Sequence, residues 1–364
     1  MPHRAAWDSA PDVEIYHAAP RVLELLVERG FFNHERDSKR VALTTWETSA
    51  LPDRYVSTLA AFDSVIVPSW FCYEAVHKKM SDIHVGRAGR GATYIVPHCW
   101  DDTFWIRPAP NRIATDASAS ELECRFLAMG AWGERKNLLG VVKAYIHEFS
   151  RDDNTRLLVV SNPDLDEVRS LVARTGIAAD KLPRISFPEP RTLSTHDVLR
   201  LHCESTCFVS ATRGEGWGLG MFEAAALGND VIAPLYGGQS DFLDRNVVGV
   251  LHRNVPFQLT PCLGSETNRT AVERDGQSHV VAGVSIPPGV DCKQVWAEPD
   301  LQMLAAHMRD VYEESRRAAF YQRNRSNAVD ALRERFEYQP VAKLFETTLR
   351  KITWPTLSDT SSST

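Results

Sequence analysis

Along the chain, short apolar runs alternate with longer stretches whose apolar residues recur at helical spacing. The runs Val13 to Tyr16, Arg40 to Thr45, Ser64 to Val67, Thr93 to Val96, Arg125 to Met129, Arg156 to Val160, Arg184 to Phe187, Cys207 to Val209 and Asp230 to Ala233 read as strands. Residues 138–149 place Leu138, Val141, Val142, Tyr145 and Phe149 on one helical face, and residues 301–313 do the same with Leu301, Leu304, Met308, Val311 and Tyr312. Pro20 opens and Gly30 closes another helix, the usual asymmetry of helix ends. Helices are also expected over 53–62, 70–80, 166–174 and 219–227, and one capped by Ser194 or Thr195 runs to Glu204. This alternation predicts an α/β protein with parallel sheets.

A chain of 364 residues suits two such domains better than one. Between Pro108 and Ser120 the composition shifts to Pro, Ala, Ser and Asp, which marks a linker. The expected organisation is a first domain over 1–118, a second over 119–310, C-terminal helices over 311–354 packing back across the domains, and a disordered tail over 355–364. Residues 252–293 are polar and irregular, so a loop-rich excursion is expected there, with Trp296 to Asp300 opening the helix that follows.

Composition narrows the function classes. Hydrophobic residues make up 43% and charged residues 24%, ordinary for a globular protein. No 18-residue apolar run and no signal-peptide core are found, so a cytoplasmic protein without a transmembrane segment is expected. The seven cysteines form no CxxC pair or zinc spacing and read as reduced, mostly buried thiols, Cys203 and Cys207 among them. A net charge of −6 gives no general attraction to nucleic acid, and residues 1–118 hold 13 basic against 15 acidic residues.

The chemistry concentrates in Cys207 to Leu243, CFVSATRGEGWGLGMFEAAALGNDVIAPLYGGQSDFL. A strand leads into a loop with glycines at 214, 216, 218 and 220, then an alanine-rich helix stopped by Gly228, then a second strand. Glycines let backbone approach a phosphate, and amides of residues 217–220 at a helix N-terminus attract anions. Glu215 and Glu223 add carboxylates suited to paired sugar hydroxyls. A nucleotide-sugar needs both. Chance placement of Glu223 on a solvated helix face is the bland alternative.

Glu215-x7-Glu223 within RGEGWGLGMFEAAALGNDVIAP resembles the signature of family 4 retaining glycosyltransferases. The resemblance implies the GT-B fold: two Rossmann-like domains whose parallel sheets face a central cleft. Gly130-x4-Arg135-Lys136-Asn137 resembles the family's phosphate-binding lysine motif, although Ala131 stands where many members carry Arg. Gly237 to Asp241 resembles a second glycine turn near the donor, and Phe187 and Pro188 match positions lining the nucleotide base. TTWETSALP, FDSVIVPSWF and YIVPHCWDDTF resemble the later half of an acceptor domain, which is short for the family.

The implied reaction moves a sugar from a UDP- or GDP-linked donor to an acceptor hydroxyl with retention, without metal or other cofactor. Lys136 and Arg135 would stabilise the leaving diphosphate with the amides of Trp217, Gly218, Leu219 and Gly220. Gly214 and Gly216 would shape the loop, Glu215 would position the sugar, and Glu223 would hold the ribose. His17 would touch donor sugar or acceptor, and Glu47 would orient or deprotonate the acceptor hydroxyl. Either could equally be a polar residue capping its own loop. Asp164-x-Asp166 formally matches a metal motif, but a helix cap explains it. Lys78, Lys79, Arg87 and Arg90 form either a solvated loop or a grip on an anionic acceptor. The acceptor is a glycan, a lipid-linked sugar or, alternatively, a hydroxymethyl-pyrimidine base in DNA. A sugar-nucleotide epimerase, a phosphorylase and a catalytically silent scaffold of the same fold are the other readings.

Overall fold

A computed structural model describes residues 12–32, 38–83, 91–100, 123–243, 252–261, 279–281, 284–286, 294–316 and 325–353. The chain divides into two compact units, residues 1–99 with 338–364 and residues 100–337.

The first unit is built on a parallel sheet in the order β1 (Val13–His17), β2 (Lys39–Leu43), β3 (Ser64–Val67), β4 (Ala92–Ile95). Helices α1 (Pro20–Glu28), α2 (Asp53–Leu59) and α3 (Trp70–Ile83) connect successive strands. Each crossover steps the same way along the sheet, so right-handed connections put all three helices on one face. Ala42, Val65 and Val67 meet Leu23, Val56, Leu59 and Val76 there. The intervening residues Val41 and Ile66 turn to the opposite face, which those helices cannot reach. The C-terminal helix, Tyr338–Thr353, covers it with Val341, Phe345, Leu349 and Ile352, one stripe at helical spacing.

The second unit holds a six-stranded parallel sheet. Its strands are β5 (Cys124–Met129), β6 (Thr155–Val160), β7 (Arg184–Ser186), β8 (Cys207–Val209), β9 (Asp230–Ala233) and β10 (His252–Asn254), in the spatial order β7-β6-β5-β8-β9-β10. The chain starts mid-sheet at β5, winds outward to β7, then returns to the far side of β5 to begin β8. That reversal places α4 (Leu138–Glu148) and α5 (Leu165–Thr175) against one face, and α6 (Thr195–Glu204) and α7 (Leu219–Ala226) against the other. Residues alternate accordingly, Phe126 and Ala128 facing α4 and Leu127 facing α7. A short α8 (Ser240–Leu243) follows β9.

The region expected to be an irregular excursion contains strands among its described residues. Besides β10 these are β11 (Phe257–Pro261), β12 (His279–Val281) and β13 (Val284–Ile286). Of the residues expected to open a helix, Trp296 to Pro299 belong instead to β14 (Val295–Pro299), antiparallel to β11, while Asp300 caps the helix from Leu301 as expected. An edge strand of three polar residues such as His252–Asn254 buries too little to show an apolar pattern, hence the missed assignment. α9 (Leu301–Ser315) packs on α4, and α10 (Arg325–Phe336) on α7. Of the described cysteines, Cys72, Cys124 and Cys207 are buried, whereas Cys99 and Cys203 are exposed, so Cys203 is not the packing residue expected.

Candidate functional site

β5 and β8 are neighbours from which the chain departs in opposite directions, and the carboxyl ends of such a strand pair are where open α/β sheets receive ligands. The loops leaving these ends are residues 130–137 and 210–218, the two stretches singled out by sequence. In the first, a Cβ on Gly130 would lie 3.2 Å from the Lys136 side chain, so glycine clears a path for the lysine's alkyl stem. Asn137 adopts the left-handed conformation (φ 50°) and heads α4.

The loops meet at Glu215, which is 6% exposed. Lys136 Nζ donates to its Oε1 at 2.6 Å, Thr212 Oγ1 donates to the same oxygen at 3.0 Å, and Arg135 Nη1 lies 3.3 Å from Oε2. Arg135 also donates to the Gly214 carbonyl at 2.9 Å. Two cations thus converge on one carboxylate and leave one positive charge in excess. Arg213 ties this cluster to β14, pairing with both carboxylate oxygens of Glu298 at 2.6 and 3.0 Å while Ala297 N donates to its carbonyl at 2.8 Å. Neither Thr212 nor Glu298 stood out in the sequence, because each acts through a partner that only folding supplies.

Gly214, Gly216 and Gly218 line the buried part of this loop, and Leu219 and Gly220, more open, begin α7. The Trp217 ring packs among Phe222, Phe242 and Phe336 at centroid distances of 5.4, 5.0 and 5.4 Å. Its indole is therefore core, and the donor-binding expectation for Trp217 narrows to its main chain. The Gly237–Gly238 turn lies directly on the loop, Gly238 N donating to the Glu215 carbonyl at 2.7 Å. Glu223 has a different partner: its Oε2 is 3.2 Å from Nε2 of His202, a histidine with no exposed surface near the end of α6. Phe187 and Pro188 follow β7 half-buried, with Phe187 edge-on to Trp132 at 6.5 Å. Asp164 caps α5, accepting from the amides of Asp166 and Glu167.

In the first unit, His17 ends β1 and lines a pocket of about 270 Å³ with His98, Thr44, Thr45 and Phe345. Burial, and then the nearby His17, hold the His98 imidazole below its ordinary pKa. His98 was not anticipated from sequence. Glu47 lies half-buried in the loop after β2 and is not among the pocket's lining residues. That loop is pinned by Trp46, whose indole donates to Thr48 Oγ1 at 2.7 Å and to the Ala50 carbonyl at 2.8 Å. Burial pushes the Cys72 thiol up in pKa, and the Glu47 charge adds a smaller push. Lys78 is exposed, Lys79 is paired with Asp53, and Arg87 and Arg90 lie outside the described residues. Among the described residues no group of three His, Cys, Asp or Glu is placed to hold a metal ion, and no helix is long and apolar enough to cross a membrane.

Residues 123–258 match the family described as "Glycosyl transferases group 1". No curated protein matches the chain. Similar solved structures include sucrose-phosphate synthase from Thermosynechococcus elongatus, at 15% identity and TM-score 0.59, covering 93% of this chain and 73% of that one. A UDP-forming α,α-trehalose-phosphate synthase from Burkholderia xenovorans (12%, TM-score 0.59, 94% and 74%) is also similar. So is Anabaena Alr3699/HepE in complex with UDP-glucose (13%, TM-score 0.59, 93% and 78%). The chain therefore has the α/β GT-B fold of these proteins, and its residues 123–258 match the group 1 glycosyltransferase family.

Proposed function

We propose that the protein is a retaining glycosyltransferase that takes its sugar from a UDP-linked donor bound by the second unit. The carrying observation is the convergence of Lys136 and Arg135 on Glu215 at the point where the sheet order reverses. During transfer the bond between the sugar's anomeric carbon and the diphosphate oxygen breaks, a bond to the acceptor oxygen forms, and charge builds on the diphosphate. Lys136 and Arg135 are already aimed at that region, so they stabilise the leaving group without reorganising. Glu215, held by Thr212 and both cations, presents a fixed carboxylate to the sugar. Glu223, steadied by His202, takes the ribose hydroxyls. UDP rather than GDP is favoured by the similarity to proteins solved with UDP or UDP-glucose. The acceptor is assigned to the first unit, at the carboxyl edge of its sheet where His17 and Glu47 lie.

Calorimetric titration of UDP against wild type and Glu223→Ala tests this. Losing charge-assisted hydrogen bonds to two hydroxyls should weaken binding by roughly 10- to 100-fold. Well-folded wild-type protein that takes up no UDP would overturn the donor-site reading in favour of a binding or scaffolding role.

A further inference from the structure

The first unit's pocket collects features that the donor site leaves unused. Residues following all four strands contribute to it, so it sits at the carboxyl edge of the sheet, where α/β sheets receive ligands. Thr44 is 4% exposed and lines the pocket, yet its Oγ1 has no hydrogen-bond partner. A hydroxyl buried unsatisfied costs on the order of 1–3 kcal/mol, so a persistent one points to a ligand atom that completes it. His17 and His98 line the same space, and burial, with His17 as the smaller cause, disfavours the charged form of His98. Ala19, at the head of α1, also lines it, which turns the positive end of that helix toward the pocket. None of its described lining residues is acidic, and Phe345 from the C-terminal helix brings no charge.

Two imidazoles, an unsatisfied hydroxyl and a helix N-terminus, with no carboxylate, form a surround for a small oxyanion. At about 270 Å³ the pocket is smaller than the roughly 300–1,000 Å³ typical of larger ligands. We propose that this pocket binds the phosphoryl group of a small phosphorylated acceptor, held by Thr44, His17 and His98. That the phosphoryl belongs to an acceptor rests on the transferase reading above; that the pocket takes it does not. A dianion beside His98 offsets the burial that disfavours its charged form. His98 then favours its charged form, so binding near neutral pH draws a proton from solution.

The test is calorimetric titration of inorganic phosphate into the full-length protein at pH 7, in two buffers of different ionisation enthalpy, with UDP titrated in parallel. Saturable phosphate binding with net proton uptake is expected. Thr44→Val, which keeps the side-chain shape, should weaken it at least about fivefold without lowering the melting temperature. His98→Asn should weaken it about tenfold and reduce the proton uptake. No saturable binding by wild type, or binding without proton uptake that both variants retain, overturns the proposal. A hexose monophosphate binding more tightly than phosphate supports the acceptor assignment; equal affinity marks a free-anion site and overturns that part. Protein that binds phosphate but not UDP upholds the pocket and removes the donor-site reading instead.

Discussion

A methyl group added at Gly238 would stand 2.0 Å from the Gly216 carbonyl oxygen, which belongs to main chain that cannot swing aside. Gly238→Ala should therefore destabilise the protein by more than about 2 kcal/mol in denaturant unfolding and loosen the Glu215 loop. Lys136 gives the complementary case. Its side chain is about a quarter exposed, so Lys136→Ala should leave a folded protein while lowering kcat by roughly 100- to 1,000-fold in transfer assays, as loss of a charge-stabilising donor does. A fall confined to KM would instead mean that the lysine only helps to bind the donor. Lys136, Glu215 and Glu223 were legible because glycine spacing and charge announce them within one short segment. His202 was not, since its pairing with Glu223 bridges 21 positions and a lone histidine on a helix carries no such signal. Thr44 and His98 likewise gain meaning only when four strand ends are brought to one edge.

Among the elements, α5 separates two readings of the same residues. Asp164-x-Asp166 is accounted for by capping, because Asp164 accepts hydrogen bonds from the amides of Asp166 and Glu167. Asp164→Ala should cost about 1 kcal/mol in unfolding and leave transfer activity unchanged with or without added divalent metal. A metal-dependent loss of activity would reinstate the metal reading. Buried elements were the easy ones to recognise. The central strands are mostly apolar and α4 and α9 carry long apolar faces, so their patterns are set by the core they fill. The hairpin-like pairing of β11 with β14 was missed because both are short strands outside the main sheet, and their partners lie some forty residues apart.

For the whole molecule, the C-terminal helix matters most. Its four apolar contacts cover the sheet face holding Val41 and Ile66. Val341 and Ile352 are buried and Phe345 and Leu349 partly so, and at about 1.5–3 kcal/mol per fully buried side chain that cover is a large fraction of a domain's stability. A chain ending at Glu337 should lose the cooperative melting of the first unit and become protease-sensitive there, while UDP affinity in the second unit persists. Loss of both would mean that the units do not fold independently. Because the first unit draws on both ends of the chain while the second is continuous, the order of completion on the ribosome is inverted. The second unit can close as soon as it emerges, whereas the sheet translated first waits, with one greasy face bare, until Tyr338–Thr353 leaves the exit tunnel. Translation pauses before Tyr338–Thr353 emerges, or a shortage of chaperone, should therefore cost this protein more yield than its finished stability would suggest.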